Sequence, residues 1–263
     1  MTAIKSELDV VYNLDEKLQT DVYYDSDFKN YIGAIIDIHG GGWFRGDKAK
    51  DADWAKRLAR EGYYVFVPNY RYAPSAHFPE PLNDMESLYN WLTTSNYSFD
   101  HNRIGVVGSS AGGNMAVEMG IRHGLPVVSL SGILDIDHWL AGHQSVIPQE
   151  GDTSNFNNIA SSTINQNGKN DAFYKWFILN YFDDTTEFES GTPYHRVSET
   201  TGPMYLANSI DEFVPTSGVF KLAQTLVSYG IPVTTHFLPG TRHAKGYLED
   251  VYDEIVLFLR RML

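Results

Sequence analysis

Short apolar runs and amphipathic segments alternate along most of the chain. The apolar runs have strand length and lie at Tyr31–Ile38, Tyr63–Pro68, Ile104–Gly108, Val127–Ser131, Pro203–Ala207 and Val233–Leu238. Segments with apolar residues at helical spacing lie at Asp51–Arg60, Pro79–Leu92, Ala111–His123, Pro215–Tyr229 and Leu248–Leu259. Strands that alternate with helices predict parallel βαβ units, so we expect an α/β fold with a mainly parallel central sheet and helices on both faces. Near the start, alternating Leu8, Val10 and Tyr12 and the run Asp21–Tyr24 predict two further strands.

The regular alternation is interrupted between residues 137 and 201. This segment is polar and rich in Asn, Ser and Thr, with one apolar stretch at Phe173–Phe182. Because long insertions in compact domains are usually functional, we interpret 137–201 as a small cap-like insertion over an active site; a mobile surface excursion is the alternative. The absence of repeats or linkers predicts a single domain over 1–263.

Composition excludes several functions. The chain has 33 acidic and 20 basic side chains and a formal charge of −13, which opposes nucleic-acid binding. It has no cysteine, so disulfides, thiolate metal sites and cysteine nucleophiles are excluded. No apolar stretch approaches the ~20 residues that span a bilayer, and no run of signal-peptide length opens the chain. We therefore expect a cytoplasmic protein without a membrane partner. Whether it forms a homo-oligomer is left open by the sequence.

The strongest chemical signal is the stretch Gly108–Gly112, which fits G-x-S-x-G with Ser110 at its centre. It follows a predicted strand and precedes a predicted helix, which is the context that a nucleophile elbow requires. The sharp turn would lift the Ser110 hydroxyl out of the sheet, beside the positive end of a helix. The alternative is a glycine-rich connection without catalytic function.

A second glycine-rich loop, His39–Trp43, also follows a buried strand. Consecutive glycines can present backbone N–H groups to a tetrahedral oxyanion, so we predict an oxyanion hole from Gly41, Gly42 and the N–H of Ala111. A phosphate-binding loop is disfavoured, because neither G-x-G-x-x-G nor a Lys-Ser/Thr pattern follows. His39 is interpreted as structural, bonded to the loop.

A serine nucleophile needs a base, and in α/β hydrolases the chain order is serine, acid, histidine. His243 follows the predicted strand Val233–Leu238 and precedes the last helix, so its loop opens at the carboxyl edge of the sheet. We predict His243 as the general base. His236 lies within the predicted strand Val233–Leu238 and is interpreted as a packed or surface residue.

The acid that orients this imidazole is predicted to be Asp211. It follows the strand Pro203–Ala207 and precedes a helix at the same sheet edge. Glu212 is the adjacent rival, and Asp135 and Asp137 are further alternatives. Asp211 could also be only a charge at a helix N-terminus.

Together these motifs resemble the hormone-sensitive-lipase-like branch of α/β-hydrolase esterases, with small bacterial esterases and kynurenine formamidases among the similar groups. The matching pieces are His39–Trp43, Asn69–Pro74, Phe78–Pro79 with Asp84 and Trp91–Leu92, Gly108–Gly113, Asp211–Pro215 and His243. The resemblance implies the α/β-hydrolase fold with an eight-stranded sheet, the triad Ser110, His243 and Asp211, and no metal or organic cofactor. We interpret Arg71 and Asp84 as a structural ion pair.

These residues predict a carboxylesterase that cleaves small-molecule esters with short acyl groups through a serine acyl-enzyme. Two alternatives remain at this point. One is an arylformamidase, in which Trp43 would stack on an aromatic substrate in the pocket. The other is a non-catalytic binding protein built on the same fold, since a fold does not fix function.

Overall fold

The computed structural model describes residues 4–151, 156 and 159–263. The strands are β1 (Ile4–Asn13), β2 (Leu18–Asp25), β3 (Gly33–Ile38), β4 (Tyr63–Pro68), β5 (Ile104–Ser109), β6 (Val127–Leu130), β7 (Met204–Ser209) and β8 (Val233–Leu238). The α-helices are α1 (Ala52–Arg60), α2 (Glu80–Thr93), α3 (Ala111–His123), α4 (Asp137–Gly142), α5 (Asp171–Tyr181), α6 (Ser217–Ser228) and α7 (Leu248–Met262). Short 3₁₀ turns lie between them, including one at Ala244–Tyr247.

The eight strands form one sheet in the order β1-β2-β4-β3-β5-β6-β7-β8. Strands β1 and β2 pair antiparallel with each other, and β2 pairs antiparallel with β4. The pairs from β4 through β3, β5, β6 and β7 to β8 are all parallel. The predicted mainly parallel sheet and α/β-hydrolase fold are therefore confirmed. Because parallel strands end at the same edge, the loops after β3, β5, β7 and β8 can meet there.

Apolar side chains on the two faces of the sheet enter two separate cores. Neighbouring residues of a central strand point to opposite faces, so Ile36 joins one core and Ile35 the other. Helices α2, α3, α5 and α6 contribute to the first core, and α1 and α7 to the second. This arrangement confirms the prediction of helices on both faces. It also explains why the central strands lack an alternating polar pattern, since both faces are covered.

In its described residues, the predicted insertion 137–201 contains two α-helices, α4 and α5, together with short 3₁₀ turns. The apolar stretch at Phe173–Phe182 forms most of α5, and its Phe177 and Tyr181 are buried in the first core. Residues 152–155 and 157–158 of the insertion, and 1–3 of the predicted domain, lie outside the described residues. A cap role for this segment stays a proposal.

Across the part of the chain that the structure describes, no helix is both long and apolar enough to cross a bilayer. The cytoplasmic location expected from the sequence stays a prediction.

Candidate active site

Ser110 lies on a strained turn between β5 and α3. Its backbone has φ 57° and ψ −120°, a region that residues with a side chain seldom adopt. The flanking glycines make this turn sterically feasible. A Cβ on Gly108 would lie 2.2 Å from the carbonyl oxygen of Gly112, and a Cβ on Gly112 would lie 2.0 Å from that of Ile38. The motif therefore folds into the sharp strand-to-helix turn that its sequence context predicted.

A single cavity brings together residues from distant parts of the chain. It is lined by Ser110, His243 and the glycines of the loop after β3, with Gly41 and Gly42 among them. Its volume is about 50 Å³, against the ~10–15 Å³ that one water requires on the same measure. The sequence-predicted serine, histidine and loop glycines therefore share one small site.

Glu212 is the residue that contacts the His243 imidazole. Its Oε2 lies 2.5 Å from Nδ1 of His243, and both side chains are buried. The other carboxylate oxygen, Oε1, accepts hydrogen bonds of 2.8 Å from the Ser131 hydroxyl and from the backbone N–H of Ser209. These donors fix the carboxylate, which can in turn hold the ring in one orientation.

The prediction that Asp211 contacts this imidazole is wrong. Asp211 is exposed, and its backbone N–H donates to the carbonyl oxygen of Gly240 at 3.0 Å. The reason is that β7 continues to Ser209, whose N–H binds the Glu212 carboxylate, so the turn directs Glu212 inward to His243 and leaves Asp211 exposed. The two other candidate acids contact different residues. Asp135 accepts a hydrogen bond from Lys221 at 3.0 Å, and Asp137 contacts His195.

Gln166, in the inserted segment, holds the backbone of His243. Its side-chain Oε1 accepts from the His243 N–H at 2.9 Å, and its Nε2 donates to the His243 carbonyl oxygen at 3.0 Å. On the opposite side, the Ser131 hydroxyl accepts from the N–H of Ala244 at 2.8 Å. Sequence reasoning missed Gln166, because a glutamine in a polar segment carries no signal until the fold brings it to the loop.

The glycine loop takes a conformation that only glycine adopts easily. Gly41 has φ 134° and Gly42 has φ 62°, and a Cβ on Gly41 would lie 1.8 Å from the carbonyl oxygen of Arg45. Both line the cavity with Ser110. Ala111 is the first residue of α3, so its N–H belongs to the first turn, which has no intrahelical acceptor. These amides are available for the role that the sequence predicted.

His39 contacts the loop as expected. Its Nδ1 lies 2.8 Å from the carbonyl oxygen of Gly40, and its ring stacks on Tyr70 at 4.4 Å. Burial lowers the pKa of His39, which favours the neutral ring. The interpretation of this residue as bonded to the loop is confirmed.

The predicted position of Trp43 in the pocket is wrong. Trp43 is fully buried and stacks on Tyr181 of α5, with ring centroids 4.0 Å apart and planes at 4°. Its positive φ of 57° turns the side chain into the core. Among the described residues, the aromatic wall of the cavity is instead formed by five phenylalanines, Phe44, Phe156, Phe173, Phe177 and Phe213.

Arg71 and Asp84 form the expected ion pair away from the cavity. The guanidinium donates from Nη2 to Oδ1 at 2.7 Å, and the Arg71 backbone N–H donates to Oδ2 at 2.8 Å. Burial raises the pKa of Asp84, against the opposing effect of Arg71. The pair ties the loop after β4 to helix α2.

Solved structures named as esterases share this fold over nearly the whole chain. A truncated carbohydrate esterase from gut microbiota superposes with a TM-score of 0.76 at 18% identity, covering 99% of this chain and 96% of that one. The esterase of Pyrobaculum calidifontis also gives 0.76 at 18% identity, with coverages of 99% and 85%. A bacterial heroin esterase gives 0.75 at 19% identity, with coverages of 100% and 84%.

Curated relatives match a shorter segment. Arylacetamide deacetylase of Oryctolagus cuniculus is 40% identical over 86 residues, which is 30% of this chain and 22% of that protein. Versiconal hemiacetal acetate esterase of Dothistroma septosporum is 34% identical over 87 residues, 32% of this chain and 26% of that protein. The chain thus matches only about a quarter of the length of these relatives. The family model described as BD-FAE matches residues 20–226, most of the chain, and the protein therefore belongs to the BD-FAE family of α/β hydrolases.

Proposed function

We propose that this protein hydrolyses carboxylic esters through an acyl-enzyme formed on Ser110. The observation that carries the proposal is the convergence of three parts in one cavity: Ser110 on its strained turn, His243, and the glycine loop. Glu212 contacts the His243 imidazole from a buried position. The relatives named as a deacetylase and an acetate esterase support the same chemistry.

In the proposed reaction, Glu212 accepts a hydrogen bond from the Nδ1–H of His243, which holds the tautomer whose Nε2 lone pair is the base. Nε2 takes the proton of the Ser110 hydroxyl while Oγ bonds to the substrate carbonyl carbon. The tetrahedral intermediate then expels the alcohol, which receives that proton from Nε2. Water attacks the acyl-enzyme with the same proton transfers, releasing the carboxylic acid and restoring the serine.

The negative oxygen of each tetrahedral intermediate would be stabilised by the backbone N–H groups of Gly41, Gly42 and Ala111. Such donors act in a site where water is largely excluded, and the loss of one typically costs about 3 kcal/mol of transition-state stabilisation. The positive end of helix α3 adds to their effect.

Short acyl groups suit this site best. The cavity is small, and five phenylalanines of the described residues crowd its wall. Two of them, Phe173 and Phe177, come from α5, so we propose that the segment 137–201 acts as a cap that limits acyl length. Turnover of p-nitrophenyl acetate and butyrate should then exceed that of the decanoate.

The experiment that tests the proposal combines a fluorophosphonate probe with this ester series. The wild type should be labelled and should hydrolyse p-nitrophenyl acetate, whereas Ser110→Ala should show neither property. Ser228→Ala, which alters an exposed serine on α6, is the matched control and should behave as the wild type. A folded wild type that neither reacts with the probe nor cleaves any ester would refute the proposal and favour a non-catalytic binding protein.

Amide hydrolysis is a second candidate, supported by the relative named arylacetamide deacetylase. The arylformamidase alternative has lost its main argument, because Trp43 is buried away from the cavity. Assays of acetanilide and N-formylkynurenine beside p-nitrophenyl acetate separate the three activities. We expect the ester to have the highest kcat/KM.

A further inference from the structure

Arg45 lines the same cavity as Ser110 but has no part in the proposed hydrolysis. It follows the glycine loop, and its carbonyl oxygen packs so closely on Gly41 that a Cβ there would lie 1.8 Å away. The backbone of Arg45 is therefore fixed against the proposed oxyanion hole. Its position relative to the reacting carbonyl is set by the same loop.

The guanidinium of Arg45 is surrounded by aromatic rings. Its Cζ lies 4.8 Å from the ring centroid of Phe44, 4.2 Å from that of Phe156 and 5.9 Å from that of Phe173. Its Nε is buried without a hydrogen-bond acceptor among the described residues. Burial lowers the pKa of Arg45 to about 10, so the group still carries its charge at neutral pH. A desolvated charge with an unused buried donor is costly until an anion joins it.

Lys50 adds a second cation to the cavity wall. Its Nζ donates to two backbone carbonyl oxygens, of Phe156 at 2.6 Å and of Ile159 at 2.7 Å. Carbonyl oxygens satisfy its donors but leave its charge unbalanced. Burial and the nearby charge of Arg45 lower the pKa of Lys50, and Asp47 opposes this shift. The two cations therefore repel each other across the wall.

The other charged side chains of the lining do not neutralise Arg45 and Lys50. Lys245 also lines the cavity, but its Nζ lies 3.1 Å from Asp51 and 2.5 Å from Asp53. Among the described residues, the lining thus has three cationic side chains and one carboxylate, that of Asp51, which already contacts Lys245. This cationic wall occurs in a chain whose formal charge is −13.

We propose that Arg45, with Lys50 beside it, binds a carboxylate of the substrate, so that the preferred esters carry a free acid group besides the scissile ester. The inference rests on the proposed ester hydrolysis and names its substrate class. A guanidinium matches a carboxylate with two parallel hydrogen bonds, and the ring-lined surroundings strengthen them. A neutral ester would leave both charges unbalanced.

A purely structural role for Arg45 is the rival explanation. Cation–π contacts could hold Phe44, Phe156 and Phe173 together, whatever the substrate. In that case a substitution would affect acidic and neutral esters equally. The ratio of kcat/KM between matched esters therefore separates the two roles.

The experiment uses two pairs of esters in which a carboxylate is replaced by a neutral group, a methyl in the first pair and the nearly isosteric amide in the second. For the acyl side, p-nitrophenyl hydrogen glutarate is compared with p-nitrophenyl pentanoate; for the alcohol side, 3-acetoxybenzoate is compared with 3-acetoxybenzamide. The wild type should prefer the acid in one pair, which also shows on which side of the scissile bond the carboxylate lies. Arg45→Met should lower kcat/KM for that acid about 10- to 100-fold, the loss expected for one charged hydrogen-bonded contact. The neutral partner should change by less than about threefold, and Arg45→Lys should keep part of the preference.

Arg260→Met is the matched control, because it removes the same charge from an ion pair with Glu61, and neither residue lines the cavity. It should leave all four rates unchanged. Preference of the wild type for the neutral ester in both pairs, or an equal loss for both members in Arg45→Met, would overturn the inference. Because the wild-type comparison needs no variant, a poorly folded Arg45→Met does not prevent this test. If the wild type cleaves none of the four esters, the proposed hydrolysis itself fails.

Discussion

Replacement of Glu212 by glutamine separates the two adjacent acids that could orient His243. Glu212 accepts three hydrogen bonds, from Nδ1 of His243, the Ser131 hydroxyl and the Ser209 N–H. In Glu212→Gln, the amide oxygen can still accept hydrogen bonds from the Ser131 hydroxyl and the Ser209 N–H. The amide nitrogen then faces Nδ1, so the ring must place its proton on Nε2 and loses its lone pair toward Ser110.

The size of the effect follows from this change of tautomer. The same substitution of the acid in a serine protease triad lowers kcat about 10,000-fold with little change in geometry. We expect a loss of about 1,000- to 10,000-fold here, which corresponds to about 4–5.5 kcal/mol in the activation free energy. The carboxylate is fully buried, so water offers no replacement acceptor.

The assay is the rate of p-nitrophenyl acetate hydrolysis under saturating conditions, together with the rate of fluorophosphonate labelling. Asp211→Asn is the matched control, because it makes the equivalent change one residue earlier on an exposed side chain. It should retain activity within about twofold, as surface substitutions usually do. A circular-dichroism melting curve confirms that both variants are folded.

The opposite ranking would refute this reasoning. If Asp211→Asn lost activity and Glu212→Gln retained it, the contact between Glu212 and His243 would have no catalytic role. Equal activity of both variants with the wild type would show that the imidazole needs no carboxylate partner.

Three further substitutions test other parts of the structure. Gln166→Ala removes both hydrogen bonds to the backbone of His243 and should lower kcat about tenfold with KM little changed, measured by steady-state kinetics; a change confined to KM would contradict a positioning role. Gly41→Ala places a Cβ 1.8 Å from a backbone carbonyl oxygen at φ 134°, so it should abolish measurable esterase activity, and full activity would exclude this loop as the oxyanion hole. Arg71→Met leaves the buried Asp84 unpaired and should cost about 2–3 kcal/mol of unfolding free energy, less than the ~3–5 kcal/mol of a fully buried pair because the arginine is partly exposed. Burial already holds the pKa of Asp84 above its unfolded value, and Arg71→Met removes the charge that opposes this rise. The buried carboxyl is then harder to ionise, so the difference in urea midpoint between wild type and variant should grow as pH rises from 5 to 8. A difference that shrinks over this range would contradict the prediction.

The sequence alone was sufficient wherever local chemistry dictates structure. The alternation of buried strands and amphipathic helices predicted the sheet and its two helical layers, because covered strands are apolar on both faces. Gly108 and Gly112 marked the turn at Ser110, since no other residue leaves room for the backbone contacts that the turn requires. His243 could be predicted to lie near Ser110, because the loops that follow parallel strands meet at one edge of the sheet.

Tertiary structure decided the contacts that depend on which way a side chain points. Asp211 and Glu212 are equivalent by position, and only the register of the turn after β7 sends one to solvent and the other to His243. Trp43 directly follows the glycines of the loop after β3, yet its backbone turns it onto α5. Gln166 reaches the histidine loop only through the path of the inserted segment. Neighbouring residues on a turn diverge in direction, so spacing along the chain locates a site but cannot say which side chain enters it.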